Sequence, residues 1–224
     1  MRTPDFWSGR GPTSALLLPA GAVYAWATRR RVARAPEYEP PVPVVCIGNL
    51  SAGGSGKTPV AMSVAAILRN KGLAAHLLTR GYGGRLSGPV RVDPALHSAR
   101  DVGDEPLLLA RAAPTWVARD RAAGARAAVA AGAEAVVMDD GHQNPALRKD
   151  LSLVVIDGGF GFGNRRVVPA GPLREPIAAG LARADAVVMI GEDETEAGAR
   201  LGDTPRLNAR LAPTEEALAL RGRK

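Results

Sequence analysis

The stretch VVCIGNLSAGGSGKT, residues 44–58, decides the fold. It runs from a β-branched apolar strand through a glycine loop into Gly56-Lys57-Thr58 and then a helix. Glycines at 53, 54 and 56 let successive backbone N–H groups turn inward around a phosphate. The helix N-terminus adds its partial positive charge. Lys57 has the reach to contact β- and γ-phosphates, and Thr58 can set its hydroxyl on Mg²⁺. The expected cradle is therefore Ser51, Ala52, Gly53, Gly54, Ser55, Gly56, Lys57 and Thr58. One position departs from the pattern G-x-x-x-x-G-K-[ST]: Ser51 stands where the first glycine belongs. Without a ligand the same residues would form a glycine-rich strand-to-helix turn. The strand before and the helix after favour a nucleoside-triphosphate site.

Outward from this loop, short apolar runs alternate with Ala-rich helical stretches. Strands are expected at 42–47, 74–79, 115–118, 135–138, 153–156 and 186–190, and helices at 57–71, 105–112 and 121–131. Apolar runs without alternation mark strands buried on both faces. The pattern predicts an α/β fold, a P-loop NTPase-like, mostly parallel sheet with helices on both faces.

A phosphate loop needs a carboxylate at a neighbouring strand end to hold the metal. Two candidates fit: Asp139-Asp140 after Val136-Val137-Met138, and Asp157 after Val154-Val155-Ile156. A third acidic site is Asp104-Glu105, which ordinary N-capping would also explain. His142 and Gln143 follow the acidic pair and read equally as packing residues, whereas His76 and His97 read as surface or packing residues. Glycine-rich basic segments at 79–85, 160–166 and 169–176 follow strands, where open α/β sheets bind ligands. Their arginines suit phosphate or sugar.

The chain has 224 residues, 46% hydrophobic and 23% charged. That balance excludes a disordered chain, a collagen and a coiled coil. One cysteine excludes an internal disulfide, and three histidines without ligand spacing argue against structural zinc. Aromatics at 4% speak against a base-stacking nucleic-acid surface. A net charge of +7 favours anionic partners such as nucleotide phosphates, phosphorylated substrates or an acidic membrane.

The expected organisation is an N-terminal amphipathic, membrane-associated helix in 1–35, a P-loop kinase domain in 36–213 and a basic tail in 214–224. The apolar run at 15–28 is too short to span a bilayer and carries Pro19 and Gly21. Arg29, Arg30 and Arg31 follow it, the reverse of a secretory signal. It reads either as an interfacial helix, with Tyr24 and Trp26 in the headgroups, or as a terminal helix packed on the domain. Residues 36–43, with four prolines, read as an extended linker.

Six motifs in order resemble the tetraacyldisaccharide 4′-kinase family, the lipid A kinases of Gram-negative bacteria. They are PDFW at 4–7, GNLSAGGSGKTP at 48–59, LTRGYGG at 78–84, VGDEP at 102–106, MDDG at 138–141 and GFGNRRVVPAGPLREP at 161–176. The resemblance implies transfer of the ATP γ-phosphate to the 4′-hydroxyl of an acylated glucosamine disaccharide 1-phosphate. That step belongs to lipopolysaccharide synthesis at the cytoplasmic face of the inner membrane. It implies ATP and Mg²⁺ as cofactors, Asp104 as catalytic base, and Asp139 and Asp140 as active-site and, with Thr58, metal residues. It leaves Asp157 structural and favours the membrane-associated reading of 15–28. No nucleic acid or obligate protein partner is expected.

Three departures stand out. The family usually reads Asp-Asp-Gly-Phe-Gln-His where this chain has His142 and Asn144. Arg165 replaces a glycine of GFGNGR, so a left-handed turn there would be strained. Family members are considerably longer, with a smaller C-terminal domain expected to begin near residue 214. Two other readings compete: a truncated, non-catalytic ATP-binding remnant, and a P-loop ATPase or GTPase switch.

Overall fold

The computed structural model describes residues 4–212. The basic tail expected at 214–224 lies outside them. In chain order the helices are α1 (Pro12–Leu16), α2 (Leu18–Val32), α3 (Lys57–Asn70), α4 (Ala99–Val102), α5 (Asp104–Leu109), α6 (Arg121–Ala130) and α7 (Ile177–Leu181). The strands are β1 (Val44–Gly48), β2 (Ala75–Thr79), β3 (Val90–Arg91), β4 (Thr115–Val117), β5 (Ala135–Asp139), β6 (Leu151–Asp157), β7 (Ala186–Ile190) and β8 (Arg206–Ala209).

The strands form one sheet in the order β3-β4-β2-β5-β1-β6-β7-β8. Every pairing is parallel except β3 with β4 at the edge. The expected mostly parallel α/β sheet is therefore present. Strand β1 is buried throughout, as its continuous apolar run requires. Val45 and Ile47 face one core with Leu77 and Val137, beneath α3. Val44 and Cys46 face the other with Met138 and the alanines of α6. Small residues let α6 lie close: a Cβ on Gly124 would meet Ala118 and Leu78.

Strand β1 starts at Val44 rather than 42 because Pro43 has no N–H to give the ladder. Its carbonyl still accepts from Val136. The helix expected at 105–112 is α5, which ends early at Leu109; a separate short helix, α4, precedes it, and Gly103 between the two has a left-handed φ of 93°. Residues 36–43 are extended as expected but not free. Tyr38 bridges Leu147, and the Arg126 guanidinium lies 3.9 Å over its ring.

The N-terminal region corrects the expectation of one amphipathic helix. It forms α1 and α2, broken at Leu17, and α2 continues through the arginines to Val32. Its inward contacts come from small or polar residues, Ser14, Gly21 and Thr28, while Leu16, Val23 and Trp26 face outward. Among the described residues no helix is long and apolar enough to cross a membrane.

Candidate active site

Parallel pairing brings the site together. Ile47 of β1 is in register with Asp139 of β5, so the glycine loop and the acidic pair leave the sheet side by side. The loop is braced from within. Asn49 Nδ2 donates to the Ser51 carbonyl at 2.6 Å and to Ser55 Oγ at 2.9 Å. Ala52 N–H donates to the Pro172 carbonyl at 2.6 Å, and Ser51 forms a bridge with Leu173. Serine fits at 51 because its backbone is not left-handed. Gly56, which caps α3, does need that freedom at φ 77°.

A second layer of polar side chains holds the loop from below. Gln143 Nε2 donates to the Asn49 carbonyl and to Glu175 Oε1, both at 2.9 Å. Arg183 Nη2 donates to both oxygens of the buried Glu175 at 2.8 Å. Of the ambiguous pair after MDDG, Gln143 thus supports the loop. His142 is a packing residue whose Nε2 donates to the Gly180 carbonyl at 2.9 Å. His76 accepts from Trp116 Nε1, and His97 Nδ1 from the Asp93 N–H.

The two aspartates differ sharply. Asp139 is 1% exposed, and its Oδ1 has no hydrogen-bond partner among the described residues. Burial, then Asp140 and Glu105, push its carboxyl up to about 7, and Lys57 and Arg121 only partly offset this. Asp140 sits at φ 53° and accepts from Arg174 Nη1 at 2.9 and 3.1 Å, with Lys57 Nζ 3.8 Å away. Burial would raise its pKa, but Arg174 and Lys57 outweigh it and hold the carboxyl below the usual range. Asp104 is exposed at the first turn of α5, and its neighbour Glu105 acts electrostatically on Asp139. The first turn of α5 therefore lies within electrostatic reach of Asp139.

A buried carboxylate oxygen without a partner beside a phosphate loop is what a bound cation would satisfy. No cluster of three His, Cys, Asp or Glu ligands exists among the described residues. That suits Mg²⁺, which takes one or two carboxylates and fills its shell with phosphate oxygens and water.

Cavities flank the loop on both sides. One, of about 510 Å³, is lined by Arg31, Arg80, Arg119, Arg121, Arg174 and Asp140. Arg121 is 3% exposed, donates to the Ala118 carbonyl, and leaves Nε unpartnered among the described residues. The other, of about 460 Å³, lies between Gly54–Gly56 and the ends of β6 and β7, with Asp157, Ile190, Glu192 and Leu211 on its walls. Asp157 lies beyond β1 from Asp139 and accepts from the Gly159 N–H at 3.0 Å. Arg174 belongs to the basic segment 169–176, whose arginines are expected to suit phosphate or sugar, whereas Asn49 and Glu175 carry no expected role in the sequence. They share the site through contacts spanning 34 and 94 residues, for which no local signal exists.

Comparison with known proteins gives the same picture. A family model described as tetraacyldisaccharide-1-P 4′-kinase (LpxK) matches residues 13–224. A tetraacyldisaccharide 4′-kinase of Rhodospirillum rubrum is 59% identical over 229 residues, covering 100% of this chain and 69% of the relative. One from Rhodospirillum centenum is 58% identical, with 100% and 68% covered. The solved structure of Aquifex aeolicus LpxK in complex with ATP superposes with a TM-score of 0.75 at 30% identity, covering 87% of this chain and 64% of that one. The chain thus spans about two thirds of the length of its relatives. With the match running through the phosphate loop, the acidic pair and the segment that carries Arg174, this chain belongs to the tetraacyldisaccharide-1-P 4′-kinase family.

Proposed function

We propose that this chain transfers the γ-phosphoryl group of ATP to the 4′-hydroxyl of a tetraacylated glucosamine disaccharide 1-phosphate, the lipid A precursor. The observation that carries the reading is the pairing of Lys57 and its glycine loop with Asp139 and Asp140 across β1 and β5. Neither a non-catalytic remnant nor an ATPase or GTPase switch has an observation in its favour.

In this reading the N–H groups of 53–56 and Lys57 hold the β- and γ-phosphates. Thr58 and Asp139 hold Mg²⁺, which supplies charge neutralisation on the phosphate oxygens. Asp140, tied to Lys57 and Arg174, fixes both cations beside the transferred group. The nucleoside occupies the cavity walled by Ile190 and Leu211. The acceptor enters the arginine-lined cavity, where guanidiniums suit a phosphate monoester.

Asp104 takes the proton of the 4′-hydroxyl as its oxygen bonds to the γ-phosphorus and the bond to ADP breaks. Phosphoryl transfer otherwise asks for positioning, which the Asn49–Gln143–Glu175–Arg183 brace supplies.

The lipid acceptor places the protein at the membrane surface. Leu16 (81% exposed), Val23 (65%) and Trp26 (57%) make an outward apolar face, with Arg30 stacked on Trp26 at 4.6 Å. Such a face lies in the headgroup layer. We assign residues 1–35 to this surface contact and 36–213 to the kinase body.

The test is label transfer from γ-labelled ATP to the disaccharide acceptor. Transfer that needs Lys57 supports the assignment. Acceptor-independent ATP hydrolysis, unchanged by K57A, overturns it.

A further inference from the structure

A second basic cavity lies away from the phosphate loop, at the foot of the N-terminal segment. It encloses about 450 Å³ and is lined by Ser8, Phe160, Phe162, Arg165, Thr195 and Arg200, with Glu196 its one acidic wall among the described residues. Three chain segments are pinned together there. Asn164 Nδ2 donates to the Gly9 carbonyl at 3.1 Å, and its N–H to the Trp7 carbonyl at 2.8 Å. The residues that follow Gly9 and Asn164 are Arg10 and Arg165, so this contact holds together the two chain segments that carry them, 155 positions apart. The third segment, ending in Arg200, packs through Thr195, whose hydroxyl approaches Gly161 closely enough to exclude a Cβ there.

Arg10, Arg165 and Arg200 are all exposed, and none has a carboxylate within ion-pair distance among the described residues. Arg200 and Arg10 lower the pKa of the Arg165 guanidinium, the mark of like charges held together. Arg165 also occupies a left-handed conformation, φ 64°, that costs a non-glycine residue energy. Gathering three cations with Glu196 near them but no ion pair formed is unfavourable unless an anion meets them.

We propose that Arg10, Arg165 and Arg200 form a docking surface for the phosphates of anionic membrane lipids, separate from the acceptor cavity. The occupant follows from position and chemistry. Arg10 stands two residues before α1, whose Leu16 is the most exposed large apolar side chain of the region. Guanidinium groups pair with phosphate oxygens in a bidentate fashion. The apolar face of α1 and α2 and this arginine cluster together meet the two parts of a lipid surface. The proposal does not depend on the kinase reaction.

Co-sedimentation of the full chain with vesicles tests it, using phosphatidylcholine alone and phosphatidylcholine mixed with phosphatidylglycerol. R165G removes the charge and suits the left-handed backbone, so its Tm should equal or exceed that of the parent chain. Its affinity for the mixed vesicles should fall roughly fivefold, R200Q should do the same, and the effect should fade in high salt. R111Q removes an exposed charge elsewhere and should change little. Unchanged binding by R165G and R200Q overturns the proposal, as does an equal loss in R111Q. An equal loss on neutral vesicles overturns it too. The apolar contact of α2 is read on those neutral vesicles, so its failure is a separate result.

Discussion

His142 sits under the phosphate loop, 2% exposed, with its Cβ so near Gly48 that no side chain fits there. Its Nε2 donates to Gly180, and its Nδ1 has no partner among the described residues. Burial pushes its pKa down to about 4, with Arg183 and Lys149 adding to the effect and Glu175 opposing it. Above pH 6.5 the imidazole is neutral both folded and unfolded and costs nothing. Below that value the unfolded chain takes up a proton that the folded chain refuses until about pH 4. Stability should therefore decline across this window, by on the order of 3 kcal/mol from this residue. Urea unfolding at a series of pH values checks it: H142F should flatten the decline, and an unchanged slope would assign it to other groups. Asp104 gives the second prediction at this scale. Exposed and outside the phosphate cradle, it can lose its charge without disturbing nucleotide binding. D104N should lower kcat by about 10² to 10⁴ while ATP affinity stays within a few-fold. Single-turnover kinetics beside ATP titration separates the two.

Among the elements, the N-terminal segment and the 164–174 loop depend on each other. Asn164 Nδ2 lies within hydrogen-bond distance of the carbonyls of Phe6, Gly9 and Ala170 and of Ser14 Oγ. Trp7 Nε1 adds a bond to the Pro169 carbonyl at 3.1 Å. Helix α2 approaches the same loop at Gly21, where a Cβ would stand 2.9 Å from the Val167 carbonyl oxygen. N164A should leave several of these groups unpaired, cost about 1–3 kcal/mol and release the segment. Trypsin cleavage after Arg10 should speed up, and cleavage at parental rates would contradict the clamp.

The elements also divide by legibility. Strands β1, β5 and β7 were readable because burial on both faces demands unbroken apolar runs. Strand β7 matches its expected bounds of 186–190. Strand β8, Arg-Leu-Asn-Ala, is exposed at the sheet edge and carries no such run, and β3 is two residues long. Helix α7 is only five residues, too short to show a period. The phosphate loop was legible for a local reason: all its parts lie within fifteen residues, from 44 to 58. The Arg174–Asp140 pair and the Gln143–Glu175 brace were not, because the sheet rather than the local chain brings them together.

For the whole molecule, the sheet is a frame that turns one strand order into one reaction centre. β1 at its middle is flanked by β5 and β6, so the loop has an acid-bearing strand end on one side and the cavity assigned to the nucleoside on the other. Binding to so central an element should stabilise the chain as a unit. Magnesium and ATP at about 100 times Kd should add about 2.7 kcal/mol and raise Tm by roughly 5–10 °C. The central claim is that Asp139 and the phosphate loop hold ATP together with its cation, and calorimetric titration of ATP in magnesium and in EDTA tests it most directly. The parent chain should bind at least about tenfold tighter with magnesium, and D139N should lose most of that difference. Equal magnesium dependence in the parent chain and D139N, or no ATP binding by the parent chain, would contradict the account.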